Sequence, residues 1–378
     1  MDGVLGHRPS VSGDSRDNLD TIAATAGAFG VTLKSVSVME GDSVSLNSDT
    51  EMKDDDVIQW RFGDENIIAE INKRFDRITV YDDVLDGRFR DRLKLDNQSG
   101  SLTITNTTTE HDGYYERQIN SEIRGRFRLF VFELKSVMEG DSVSLNSDTE
   151  MKDDDVIQWR FGYGNTLIAG INKQFDRITV YDDVLDGRFR DRLKLDKQTG
   201  SLTITNTTTE HEGYYKLLIN RVRKSFILAV TDEVKSVSVM EGDSVSLNSD
   251  LTEIKDDDEI QWRFGDKNTL IAEINKQFDR ITVYDDVLDG RFRDRLKLDN
   301  QTGSLTITHT TTEHAGGYKL LKFTGRFFSS KSFRVSVYNS VHCCGTEAVI
   351  RLVLSALVGV ATVIILVYDI RSRRAEGD

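Results

Sequence analysis

Few residues in this 378-residue chain are of types and spacings that could do chemistry. His111, His211 and His314 recur within Thr-Thr-Glu-His, but no nucleophile or carboxylate relay accompanies them, so the chain reads as no enzyme. The runs Lys53-Asp54-Asp55-Asp56, Lys152-Asp153-Asp154-Asp155 and Lys255-Asp256-Asp257-Asp258 could suggest calcium. Calcium wants six to eight oxygens from acids spaced along a loop with a turn glycine, and these runs lack that layout. They read as solvated loops. Glycine-rich phosphate loops and zinc-ligand spacings are absent, so no cofactor or metal is expected. A net charge of −14 without a basic stripe argues against a nucleic-acid partner.

What the chain does contain is repetition. The 22 residues FDRITVYDDVLDGRFRDRLKLD occur three times without change, from Phe75, Phe175 and Phe278. MEGDSVSLNSD recurs at Met39, Met138 and Met240, and IQWRFG at Trp60, Trp159 and Trp262. A third marker, TTTEHxGxY, ends at Tyr115, Tyr215 and Tyr318, and the spacings of 99 to 103 residues are those of whole domains, not of a solenoid. Inside each unit DSVSLNS, DRITVYD, DRLKLD and SLTITNT alternate apolar with polar residues between Gly, Asn and Asp turns. That is the period of half-buried strands, and many short ones predict an antiparallel β-sandwich.

The order of the markers resembles an immunoglobulin variable-type domain. Trp60, Trp159 and Trp262 take the place of the core tryptophan on strand C. Tyr115, Tyr215 and Tyr318 take that of the tyrosine corner, ring inward and hydroxyl bonded back to the chain. The repeated 22 residues then run through the C′, C″ and D region. Where such domains carry a disulfide, this chain has Ser48 and Arg117, Ser147 and Leu217, and Ser249 and Leu320. A disulfide closing such a loop contributes about 4 kcal/mol in the chain-entropy model. A buried leucine recovers about 1.5–3 kcal/mol of that. Arg117 cannot, and must reach the surface or a partner, which makes the first domain the least stable. The markers GDSVSLNSD, IQWRFG and SLTITNTTTEHEGYYKLLI are most similar to the signalling lymphocytic activation molecule (SLAM) family, and within it to SLAM-like proteins of fish. The resemblance implies a leukocyte surface receptor that binds another immunoglobulin-like receptor, homophilically or in pairs, through its GFCC′ face. Three near-identical variable-type units without a disulfide-bonded constant-type domain depart from that family.

The resulting plan is an atypical leader over 1–30 and V-like domains at 31–133, 134–231 and 232–339. A stalk at 340–347, a transmembrane helix at 348–368 and a cytoplasmic tail at 369–378 follow. AVIRLVLSALVGVATVIILVY is long enough to span a bilayer, and Arg371, Arg373 and Arg374 after it place the domains outside, as a single-pass type I plasma-membrane protein. The leader has no apolar core of the usual secretory kind. Asn97, Asn106, Asn206 and Asn300 open glycosylation sequons on turns or strand ends. Cys343-Cys344 above the span supports either an interchain disulfide in a homodimer or free or acylated thiols. Arg351 either contacts an acidic adaptor helix, as in activating receptors, or snorkels to the headgroups. The ten-residue tail has no tyrosine to phosphorylate.

With Trp60 and Tyr115 inward, alternation turns Gln59, Arg61, Glu116 and Gln118 outward, with Glu70 beside them, as a candidate partner-binding face. The chain therefore reads as a leukocyte recognition or adhesion glycoprotein. An adaptor-coupled activating receptor and an intracellular structural array are the alternatives.

Overall fold

The computed structural model describes residues 31–47, 52–63, 66–149, 151–220, 222–324, 327–339, 353–357 and 360. Three β-sandwiches follow one another. The first contains β1 (Leu33–Met39), β2 (Val44–Leu46), β3 (Val57–Phe62), β4 (Asn66–Asn72), β5 (Arg77–Val80), β6 (Leu93–Leu95), β7 (Leu102–Ile104), β8 (Gly113–Ile119) and β9 (Glu122–Met138). The second adds β10 (Val143–Leu145), β11 (Val156–Phe161), β12 (Thr166–Asn172), β13 (Arg177–Val180), β14 (Leu193–Leu195), β15 (Leu202–Ile204), β16 (Gly213–Ile219) and β17 (Val222–Thr231). The third comprises β18 (Val234–Met240), β19 (Val245–Leu247), β20 (Asp258–Phe264), β21 (Thr269–Asn275), β22 (Arg280–Val283), β23 (Leu296–Leu298), β24 (Leu305–Ile307), β25 (Gly316–Thr324) and β26 (Phe327–Tyr338).

Each back sheet has three strands, in the orders β2-β7-β6, β10-β15-β14 and β19-β24-β23. The front sheet of domain 1 runs β1-β9-β8-β3-β4-β5, and that of domain 3 β18-β26-β25-β20-β21-β22. Domain 2 has no separate first strand. β9 leaves domain 1 as its last strand and pairs in parallel with β17 from Glu133 to Met138, so one strand serves two domains and merges their front sheets. The expected boundary at 133/134 thus falls inside a continuous strand, with no linker.

The cores explain how the sandwiches close without cystine. Trp60, Trp159 and Trp262 are wholly buried and lean on Phe127, Phe226 and Phe333, ring centroids 5.3, 5.5 and 5.4 Å apart. Each indole N–H donates across the sandwich to the carbonyl of Gly100, Gly200 or Gly303, at 2.9, 2.8 and 2.8 Å. That glycine holds φ near +70°, where any side chain is strained, and a Cβ on Gly200 would also push on the Ile157 side chain 2.4 Å away. Ser147 and Ser249, in the missing cysteine positions, are buried and donate to the carbonyls of Thr199 and Thr302. Ser48 lies outside the described residues. The tyrosine corner is present three times: Tyr115, Tyr215 and Tyr318 donate to the carbonyls of His111, His211 and His314 at 2.8, 2.7 and 2.6 Å.

The 22 unchanged residues begin after the C′ strand, supply the C″ strand at β5, β13 and β22, and end in strand D. Between the two, Leu85, Asp86 and Gly87 all take positive φ, a left-handed turn that drops Phe89 into the core against Phe62. Phe189 and Phe292 do the same in the later copies.

Arg117 does not reach the surface. It is 2% exposed on β8, in the place of Leu217 and Leu320. Across the F–G pair it faces Gly125, behind a bulge, whereas Leu217 faces Lys224 and Leu320 faces Lys331. Those lysines reach Asp148 and Asp250. Domain 1 has therefore moved the positive charge from strand G to the inward position of strand F. Arg117→Leu, which installs the residue that Leu217 and Leu320 supply at this place, should raise the unfolding midpoint of domain 1 through apolar burial of about 1.5–3 kcal/mol, as read by calorimetry. An unchanged or lowered midpoint contradicts this account.

The expected span at 348–368 lies mostly outside the described residues, and Cys343, Cys344 and Arg351 lie outside them. Residues 353–357 and 360 are helical, and among the described residues no helix is long and apolar enough to cross a membrane.

Candidate functional site

The five residues proposed for recognition do meet on one sheet face. Gln59 stands in register with Glu70 and Gln118, and Arg61 with Glu116. The Gln59 amide donates to Glu70 Oε2 at 2.8 Å and the Gln118 amide to Glu116 Oε1 at 2.8 Å. Glu116 also takes Arg126 at 3.3 Å. All five are half-buried, and the enclosed Nε of Arg61 has no hydrogen-bond partner among the described residues. The face is thus flat, charged and incompletely paired, a composition that favours specificity over affinity.

The same positions in domain 3 are wholly covered. Every residue of β20 is buried, including the outward-pointing Glu259, Gln261 and Arg263. What covers them is the first strand of domain 1. Ser35 N–H donates to Gln277 Oε1 at 2.7 Å and Ser37 N–H to Glu259 Oε2 at 3.1 Å. Gln261 Nε2 donates back to the Ser37 carbonyl at 3.0 Å. Arg263 Nη1 meets Asp42 Oδ2 at 2.8 Å, with Lys34 lying 4.6 Å over the Phe278 ring and Phe127 stacked beside it. The unpaired edge of one sandwich thus lies on the front sheet of another. Sequence reasoning missed this because Gln-Trp-Arg is the same in all three repeats. Glu259, which is Val57 in domain 1 and Val156 in domain 2, marks domain 3 as the acceptor, and Gln277, which is Arg74 in domain 1 but recurs as Gln174 in domain 2, separates it from domain 1 alone.

Domains 2 and 3 meet through Ile227, Leu321 and Phe323, joined by Phe132 and Tyr214. Glu212 of domain 2 accepts from the Ser330 hydroxyl at 2.5 Å.

The histidines are structural. His111 Nδ1 accepts from Thr108 N–H at 2.8 Å while Nε2 lies 3.0 Å from the Arg88 carbonyl, and burial depresses its pKa. His211 and His314 repeat the arrangement. The acidic runs need a correction. Their last members, Asp56, Asp155 and Asp258, are buried, not solvated. Each accepts from the backbone three residues earlier, and from Asn120, Asn220 or Thr324 at the end of strand F. They pin the loop to the sheet. No group of metal-ligating side chains occurs among the described residues. Of the sequon asparagines, Asn106, Asn206 and Asn300 are exposed and Asn97 is half-buried, its amide on Asp76.

Three acids at the domain contacts, Glu259, Glu273 and Glu212, hold raised pKa values, each chiefly through burial. Burial, reinforced by Glu273 and opposed by the Gln261 and Ser37 hydrogen bonds, pushes Glu259 up to about 8. Burial pushes Glu212 up to about 7. The docked domains therefore keep protons that separated ones release, so docking is fully favoured below about pH 4.5 and weakens as pH climbs through 7 to 8. Hydrogen exchange corrected for intrinsic rate should show the Ser37 amide better protected at pH 5.5 than at 8, and Glu259→Gln should flatten the difference. Equal protection at both pH values rules this out.

Residues 232–338 match the immunoglobulin V-set domain family. No curated protein sequence matches the chain. Among solved structures, the first immunoglobulin-like domain of human CD48 antigen is similar at 20% identity over 27% of this chain and 84% of that one, TM-score 0.24. The CD2-binding domain of CD58 is 14% identical over 54% of this chain and 96% of its own, TM-score 0.23. The I9–I11 tandem of titin is 16% identical over 81% and 97%, TM-score 0.19. With its V-set domain at residues 232–338 and two further sandwiches before it, the chain is an immunoglobulin-superfamily protein of tandem immunoglobulin-like domains.

Proposed function

We propose that the chain is a SLAM-like, single-pass type I cell-surface glycoprotein that mediates leukocyte recognition by binding another immunoglobulin-like receptor through the front sheet of domain 1. One observation carries the reading. The Gln-Arg-Glu face of domain 3 already packs against an immunoglobulin-like domain in this molecule, while Gln59, Arg61, Glu70, Glu116 and Gln118 on domain 1 remain half-exposed. A half-solvated charged face of this kind suits a transient contact between cells, where charge complementarity sets choice of partner and rate of encounter. Exposed sequon asparagines at 106, 206 and 300 agree with an exterior location.

Two measurements test this. Multimerised residues 31–339 should stain leukocytes, and Arg61→Glu or Glu116→Arg should each cut binding about tenfold, the size of loss expected when one partner of a close charge pair is reversed. Full staining by both variants removes this face. Endoglycosidase should shift the band of the full chain expressed in cells, and replacing Asn97, Asn106, Asn206 and Asn300 with Gln should abolish the shift. An unglycosylated wild-type chain would favour the intracellular array.

A further inference from the structure

The contact between domains 1 and 3 has two halves, an edge and a face, and the chain contains more of each than it uses. The edge is Lys34 to Asp42. Its nine residues recur without change as Lys235 to Asp243 in domain 3. There β18 holds the same parallel register on β26 that β1 holds on β9, so the same backbone groups face outward. In domain 1 Val36, Ser37 and Val38 are buried, whereas Lys235, Ser236, Ser238 and Asp243 are exposed and Met240 is 49% exposed. A strand edge left open in this way is a ready template for another chain.

The unused face with the closest match is that of domain 2. In domain 3, Arg263 is set for Asp42 by bonds from Nε and Nη2 to Gln261 Oε1 and from Nη1 to the Asn268 carbonyl. Arg160 makes the same three bonds, to Gln158 Oε1 and the Asn165 carbonyl. The arginine is therefore already in the docking conformation, with the ordering cost removed. Gln174 repeats Gln277, and Phe175 repeats Phe278 but is 71% exposed. Two residues differ: Val156 stands for Glu259 and Gly170 for Glu273, so one backbone N–H of the edge loses its carboxylate acceptor. Domain 1 matches less well. Gln59 is turned to Glu70, and Arg74, a cation unable to accept from an N–H, replaces Gln277.

We propose that a second copy of this chain lays its Lys235–Asp243 edge on the front sheet of domain 2, at Gln158, Arg160, Gln174 and Phe175. The contact repeats between copies the one that joins domains 1 and 3 within a copy. Asp243 pairs with Arg160, Lys235 lies over Phe175, and the Gln158 amide donates to the Ser238 carbonyl. Edge and face belong to different domains, so the association is head-to-tail and each copy keeps one free edge and one free face, which extends into chains or closes into rings. This surface is separate from the domain 1 face proposed for receptor binding.

Sedimentation velocity of the full chain in detergent, under reducing conditions that open any cystine link, tests the proposal. The wild type should self-associate with rising concentration beyond a dimer. Asp243→Arg or Arg160→Glu should weaken association at least about tenfold, the double charge swap should restore it to within about threefold, and Phe175→Ala should weaken it in an intact fold. Arg61→Glu should leave it unchanged. A chain that stays monomeric, stops at a dimer, is indifferent to Asp243 and Arg160, or loses association with Arg61→Glu overturns the proposal.

Discussion

Everything in this molecule depends on closing a sandwich without a cystine. The indole N–H of each core tryptophan crosses to a glycine carbonyl on the facing turn, and in domains 2 and 3 a buried serine hydroxyl ties that same turn to its neighbouring strand within the back sheet. A net hydrogen bond contributes about 1 kcal/mol, less than a disulfide, but the indole bond with a wholly buried tryptophan holds the two sheets in the same register. The tyrosine corner and the aspartate that ties each loop to strand F fix the ends of the sheet. Each is a directional contact, and together they replace one covalent constraint by several weak ones that must all be satisfied at once.

Near-identical sequences then take on different work through their surroundings. Phe75 and Phe175 are 71% exposed, while Phe278, in the same 22-residue context, is covered by Lys34 and Phe127 of domain 1. The edge of domain 1 is buried and its copy in domain 3 is open. Two substitutions, Glu259 for valine and Gln277 for Arg74, supply acceptors to the backbone N–H groups of that edge. The raised pKa of Glu259 is the cost of this arrangement, since a carboxyl that receives a backbone N–H is also removed from water.

The sandwiches themselves were legible because period-two burial is a local property. Val44 and Leu46, or Trp60 and Tyr115, turn inward as their spacing requires. The five polar residues of the domain 1 face were legible for the same reason. What lay beyond reach were contacts between segments of nearly equal sequence, since only single substitutions such as Glu259 for valine distinguish the covered face from the open ones. The buried aspartates were missed because a run of three acids reads as solvated, and only Asn120, Asn220 and Thr324, more than 60 residues on, explain the third. The exchange of Leu and Lys for Arg117 and Gly125 needed the F–G register to be understood.

β9 has no hinge. Its 17 residues carry one ladder to β1 up to Phe132 and the next to β17 from Glu133 on, with no unladdered residue between them. Domains 1 and 2 therefore behave as one lever instead of two beads on a string. A tug on the chain loads both sandwiches through a single ribbon, and whatever grips the far tip swings the second domain with it.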